Sequence, residues 1–377
     1  MPKLTFYPLG NADSFRIDLD NGKKLLFDYA AMRCADDKND KRADLPKLLR
    51  DDLKSNRREN FDVVTFTHLD EDHTKGSTDF FYLEHDKKYQ TGDRIKIDEM
   101  WVPAAVIIEE QETLGEEHSI IQAEARYRLL NKKGIRVFSR PVLLQNWLAK
   151  KGVSLAEVEH LITDAGQLVP GFTTDADGVE FFVHSPFATR LNERDLVDRN
   201  SDSIVLQATF DCSGRKTKFI LGADTTHDEM TDIVDITRYH KREERLESDV
   251  VKLPHHCSYK SLAPEGEKGK EKTEPVENVK WLYEEKGNKG LKIVSTSDPI
   301  PSVDTTQPPH RQAANYYRDL VKTKGGEFLV TMEHPSQTFP APLVISIDSL
   351  GARTEKRNTT GGGSITSGTA PRAGESK

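Results

Sequence analysis

The run His68-Leu69-Asp70-Glu71-Asp72-His73 places five side chains able to bind a divalent cation in six positions. It follows Phe61-Asp62-Val63-Val64-Thr65-Phe66-Thr67, a β-branched segment that reads as a buried strand. His68 therefore stands where a strand gives way to a loop, and short side chains in a loop can converge on one point. Taken alone, the run is equally a polar loop capping the next helix, with Asp72 as N-cap. Three other segments weigh against that simpler reading. Phe219-Ile220-Leu221-Gly222-Ala223-Asp224 is an apolar strand delivering a carboxylate just after a glycine. Val250-Val251-Lys252-Leu253-Pro254-His255-His256-Cys257-Ser258 is a second apolar strand ending in paired imidazoles. Adjacent side chains diverge, so at most one of His255 and His256 reads as a direct ligand, the other facing substrate. Gly10-Asn11-Ala12-Asp13-Ser14 reads as a tight turn exposing backbone amides and a carboxylate.

Around these landmarks the pattern is mixed. Alternation predicts strands over 4–7, 14–19 and 24–27, the last two joined as a hairpin at Asn21-Gly22. A helix is expected over 44–56, a strand over 100–107, a helix over 120–132, a strand over 135–138, and two further helices reaching Thr163. Strands return at 180–184, 203–210, 218–221, 250–253, 291–295 and 343–347, with a helix over 311–322. This is the α/β class.

Composition limits the function classes. At 377 residues and 36% hydrophobic content the chain can fill a sizeable core. Its net charge of −8 argues against a non-specific binder of polyanions, although a bound metal would add local positive charge. No apolar run approaches the roughly 20 residues that cross a bilayer, so no membrane association is expected. Met1-Pro2-Lys3 leads into an alternating segment rather than a signal-peptide core. Cys34, Cys212 and Cys257 are odd in number and far apart, which points away from a disulfide framework and toward a reducing, cytoplasmic setting. Residues 263–277, whose one aliphatic side chain beyond alanine is Val276, read as an exposed insertion. Residues 353–377, rich in Gly, Ser and Thr with five basic residues against two acidic, read as a disordered tail following a hydrolase domain over 1–352. Tail and insertion are the places where a protein partner would attach.

Together the four segments resemble the metallo-β-lactamase superfamily, and within it the hydrolase domain of ComEC-type competence proteins, over roughly residues 4–330. Gly10 to Ser14 is similar to that branch's G-x-G-D-S turn, with Ala12 for the second glycine. Residues 68–73 match its H-x-D-x-D-H form, in which Asp70 stands where most of the superfamily has histidine. Residues 200–206 and 221–224 resemble its N-x-x-S strand and G-D strand, with Ala223 inserted, and His255-His256-Cys257-Ser258 resembles H-H-G-S, with Cys257 for glycine. The resemblance implies an αββα sandwich and a metal-dependent hydrolase with one or two divalent ions, Zn²⁺ or Mn²⁺. It implies His68 and Asp70 on one ion, Asp72, His73 and His255 on a second, and Asp224 bridging. Asp72 would orient a hydroxide whose parent water is acidified to a pKa of about 7. His256 or His310 would protonate the leaving group. One departure stands out. The superfamily's third histidine for the first ion has no counterpart in Asp198-Arg199-Asn200-Ser201-Asp202, which leaves that site oxygen-rich.

His85, His118, His160 and His184 read as surface or structural residues, and Cys257 as a small buried filler. The expected activity is hydrolysis of a phosphodiester, in nucleic acid or a nucleotide. Two alternatives stay open: an ester, lactone or amide hydrolase, and a partner-binding module with a regulatory or vestigial metal site.

Overall fold

Strand alternation sorts the apolar side chains onto the four faces of two sheets, and those faces build three buried layers. The computed structural model describes residues 1–110, 115–189 and 198–356. One sheet contains β1 (Lys3–Phe6), β2 (Phe15–Asp18), β3 (Lys24–Phe27), β4 (Asn60–Thr65), β5 (Lys96–Pro103), β6 (Ile135–Phe138) and β7 (Ile162–Thr163). The other contains β8 (Val179–Ser185), β9 (Val205–Cys212), β10 (Arg215–Leu221), β11 (Ser248–Lys252), β12 (Gly287–Ser295) and β13 (Glu327–Val330). The chain then returns to the first sheet through β14 (Leu343–Asp348) and β15 (Gly351–Thr354), giving the orders β15-β14-β1-β2-β3-β4-β5-β6-β7 and β13-β12-β11-β10-β9-β8.

Leu4, Phe6, Phe15, Phe27, Val63 and Trp101 of the first sheet bury against Phe181, Leu206, Phe219, Leu221 and Val250 of the second. Phe15 stacks on Phe27 at 4.7 Å, and Phe219 meets Phe15 edge-on at 5.8 Å across the interface, a favoured aromatic geometry. The opposite faces of the same strands, Leu26, Val64, Met100 and Val102 on one side and Ile220, Val251 and Ile293 on the other, bury under helices. Parallel strands covered on both faces are mostly apolar, as 61–66 and 250–253 are apart from Asp62, Thr65 and Lys252. The helices on the first sheet include α1 (Leu45–Ser55), α2 (Glu71–Thr74), α3 (Glu116–Leu130) and α4 (Val142–Lys150); those on the second include α5 (His227–Tyr239), α6 (Glu277–Glu284) and α7 (Arg311–Lys324). The order is helix, sheet, sheet, helix: the αββα sandwich implied by the resemblance.

Four expectations shift. The strand placed over 100–107 ends at Pro103 and a short helix, Ala104–Ile108, takes over; an apolar run of that length does not by itself separate strand from helix. Ile162–Thr163 pairs with β6 rather than ending a helix. Arg353 and Thr354, assigned to the tail by composition, pair with Ser346 and Ile345, so an ordered edge continues past Ala352. Residues 357–377 lie outside the described residues. The insertion at 263–277 is exposed along much of its length but buries Thr273 and Pro275. It is also tied to α7, where Thr273 N–H donates to the Gln312 carbonyl and Arg311 pairs with Glu271 at 2.7 Å. Among the described residues no helix is long and apolar enough to cross a membrane.

Candidate metal centre

Parallel strands β3, β4, β10, β11 and β12 all end on one side of the sandwich, and loops leaving strand carboxyl ends are where open α/β sheets place ligands. His68 to His73 follow β4, Asp224 follows β10, and His255 and His256 follow β11. Gly222 permits the convergence. A Cβ there would stand 2.9 Å from the Lys252 carbonyl oxygen and 3.1 Å from Pro254 N, so a larger residue would push β10 away from β11. Backbone bonds then lock the loops: Asp13 N–H donates to the Asp72 carbonyl at 2.9 Å, Tyr29 N–H to that of His73 at 2.9 Å, and His255 N–H to that of Ala223 at 3.2 Å. His255, His256 and Cys257 all have positive φ (49°, 52° and 66°), a run of left-handed residues that L side chains rarely adopt and that turns the two imidazoles apart.

The result is a buried group in which Asp13, His73, Asp224 and His256 each offer a ligand atom within 4.8 Å of the others. His73 Nε2 is 3.3 Å from Asp224 Oδ1 and 3.7 Å from Asp13 Oδ2, and His256 Nε2 is 3.7 Å from Asp224 Oδ2. The far sides of both rings are fixed: His73 Nδ1 donates to Asp28 Oδ2 at 2.9 Å, and His256 Nδ1 to the Thr296 carbonyl at 2.8 Å. Each Nε2 is thereby aimed inward, the arrangement that orients metal-ligating imidazoles. Asp28 is held in turn by the backbone N–H and hydroxyl of Thr67. Lys252 Nζ pairs with Asp13 and donates to the Gly222 carbonyl at 2.7 Å.

Burial alone would discharge these groups, but their neighbours outweigh it. Burial disfavours a charged His73, yet Asp28, Asp224 and Asp72 hold it protonated far above its usual range. Burial likewise opposes charge on His256, which Asp224 and its hydrogen bond to Asp72 raise to about 9. Burial would raise Asp224, but His256 and His73 keep it ionised well below the ordinary carboxylate range, and His73 and His256 do the same for Asp72. Burial lowers His68 and His255, leaving them neutral. Negative charge here calls for cations, and a divalent ion would displace the imidazole protons.

The structure brings Asp72, His73, Asp224 and His256 of the sequence-assigned residues together. His68 is adjacent, its ring 3.9 Å from that of His73. His255 stands beside His256 with the rings perpendicular and 6.2 Å apart, so it is His256, read as facing substrate, that enters the four-residue group. Asp70 is outside the group and is held by Arg199, with Nη1 2.9 Å from Oδ1, and it rather than Asp72 is the N-cap of α2. His310 is not in the group. Its Nδ1 accepts from Tyr259 N–H at 3.3 Å and its Nε2 faces the Thr306 carbonyl at 3.4 Å, so it props the loop after His256. Asp28 and Lys252 were missed as site residues, and Asp13 was noted only as part of a turn. Asp28 closes the strand Leu25-Leu26-Phe27, the same strand-then-carboxylate signal that marked Asp224.

The donor set fits a divalent cation. Asp13 Oδ1, His68 Nε2, His73 Nε2, Asp224 Oδ1 and His255 Nδ1 are buried and make no hydrogen bond, a costly state that a cation relieves. Two carboxylates and two imidazoles suit either Zn²⁺ or Mn²⁺. No protein-family profile and no curated protein matches the chain. Among solved structures it is similar to a diphosphatase of the PhnP family (11% identity, 82% of this chain and 92% of that chain, TM-score 0.29). It is also similar to unliganded yeast PDE1 (10%, 88% and 97%, TM-score 0.41) and a long form RNase Z from yeast (11%, 86% and 43%, TM-score 0.33).

Proposed function

We propose that the chain is a metal-dependent hydrolase acting on phosphodiesters, in nucleic acid or a nucleotide. The observation that carries it is the convergence of Asp13, His73, Asp224 and His256 from four separate segments of the chain, with Asp13 Oδ1, His73 Nε2 and Asp224 Oδ1 buried and without a hydrogen bond. His73, Asp224 and His256 would hold the ion, with Asp13 and Asp72 beside them. A divalent ion supplies Lewis acidity, bringing the pKa of a water toward about 7 and offsetting charge on a phosphoryl oxygen. Asp72, ionised and 30% exposed, accepts from His256 Nε2 at 2.9 Å, and its remaining acceptor sites would orient an attacking water. A cleft of about 540 Å³, which none of the metal-capable residues lines, has a wall that includes Gly10, Asn11, Lys41, Arg42 and Asp298. Asn11 accepts from Asp298 N–H at 2.9 Å, which joins the cleft wall to the loop after β12 that also carries Thr296. The cleft carries both signs of charge, Lys41 and Arg42 against Asp37, Asp40 and Asp298, with Arg42 held by Asp40 at 2.6 Å, so the preference for a phosphodiester rests on the metal-capable group and not on the cleft.

The test is a substrate comparison with metal-reconstituted protein. Turnover of bis-p-nitrophenyl phosphate above that of p-nitrophenyl acetate and a simple lactone is expected. Turnover of the ester or lactone alone would replace this reading with the carbonyl one, and no turnover of any would favour a binding module.

A further inference from the structure

Next to the four-residue group lies a second pair of donors, His68 and Asp70, and a guanidinium is already seated on it. Arg199 Nη1 lies 2.9 Å from Asp70 Oδ1, while Nε and Nη2 fork onto Glu109 Oε1 at 3.0 and 2.8 Å. Glu109 is nearly buried, so the fork fixes the guanidinium plane from one side and Asp70 holds it from the other. Asp70 Oδ2 is 3.6 Å from His68 Nε2.

We propose that Arg199 takes the place of a cation at the His68–Asp70 pair, so that this chain holds one divalent ion, in the Asp13, His73, Asp224 and His256 group, rather than two. The inference rests on the metal-dependent reading above. An ion on His68 and Asp70 would share its carboxylate with a guanidinium that does not deprotonate in proteins, and would sit beside that fixed charge. The pair would also offer it only one imidazole and one partly engaged carboxylate. Lys252 pairs with Asp13 in the other group, but there His73, Asp224 and His256 remain as donors, whereas at the pair the arginine engages one donor of two. Positive charge is conserved across the site: a mobile ion on one side, a built-in guanidinium on the other. An arginine presents that charge with N–H groups in a planar fork suited to phosphate oxygens, which a second ion would not.

The test counts ions. Metal-free full-length protein is titrated with Mn²⁺ and with Zn²⁺ by calorimetry, bound metal is measured by elemental analysis, and the Mn²⁺ spectrum is recorded by electron paramagnetic resonance. Wild type is expected to bind one equivalent and give the spectrum of an isolated ion. Arg199→His and Arg199→Ala are expected to take up a second equivalent, at least ~100-fold more tightly than wild type does, with the coupled spectrum of neighbouring ions. Arg199→Lys, which keeps the charge, should stay at one. Two tight equivalents in wild type overturn the inference and leave the hydrolase reading standing; so does a count that stays at one in both Arg199→His and Arg199→Ala. If either variant fails to fold, the wild-type count and spectrum still decide. No bound metal in wild type overturns both readings.

Discussion

His73 donates through Nδ1 to Asp28 Oδ2 at 2.9 Å, and neither side chain meets solvent. Asp28 touches no other member of the metal-capable group, yet it sets which nitrogen of His73 faces inward. Asp28→Asn keeps the shape and tolerates the positive φ of 55° at that position. It removes the charge that favours the Nδ1–H tautomer. The expected outcome is a loss of metal affinity of about 10- to 100-fold with little change in melting temperature. Calorimetric titration of the metal-free variant checks it, and unchanged affinity would show that Asp28 does not orient the ligand.

Cys257 lies between His256 and Ser258 with its side chain buried, and burial raises its thiol pKa to about 12. It should be inert in the native protein, since the thiolate is the reactive form. Exposed Cys34 should react with a thiol reagent at once, and Cys257 only after unfolding. Mass spectrometry of labelled native protein reads this directly, and rapid native labelling of Cys257 would show that its thiol is accessible and reactive.

His184 sits on β8, away from the metal-capable group, with Nε2 2.9 Å from the Arg245 carbonyl. Burial lowers its pKa to about 4. The unfolded chain, with an ordinary value near 6.5, binds the proton first as pH falls. Stability from this residue is therefore complete above about pH 6.5 and is lost as pH drops toward 4, by up to about 3 kcal/mol. His184→Gln should flatten the fall in melting temperature between pH 6.5 and 4.5. An identical pH profile in the variant would mean that other groups set the acid limit.

The layers were legible because both sheets write period-2 and fully apolar strands into the sequence; Leu4-Thr5-Phe6 and Val250-Val251 declare which faces are covered. His73 and Asp224 were legible because metal ligands collect where such strands end. The choice between His255 and His256 was not. It depends on three successive left-handed residues, a backbone state that no local pattern around Pro254 announces and that Cys257 hides where glycine would have signalled it. Arg199 was equally invisible. Its stretch holds no histidine, and the partner of Asp70 is a guanidinium anchored by Glu109, 90 positions away in the chain. The edge strand at Gly351–Thr354 was lost to composition, because β15 is held by pairing with β14 and buries little of its own surface.

On this reading the buried group around Asp224 holds the ion on which hydrolysis depends. Asp224→Ala removes the carboxylate that approaches both His73 and His256 while sparing the three cores. The deciding measurement is turnover of bis-p-nitrophenyl phosphate by chelator-treated protein, before and after adding back Mn²⁺ or Zn²⁺, for wild type and Asp224→Ala side by side. Wild type is expected to lose activity on chelation and regain it with metal. Asp224→Ala, folded by circular dichroism, should bind metal weakly and stay at least about 100-fold slower at any loading. Turnover that survives chelation in wild type, or that matches wild type in Asp224→Ala, would contradict it.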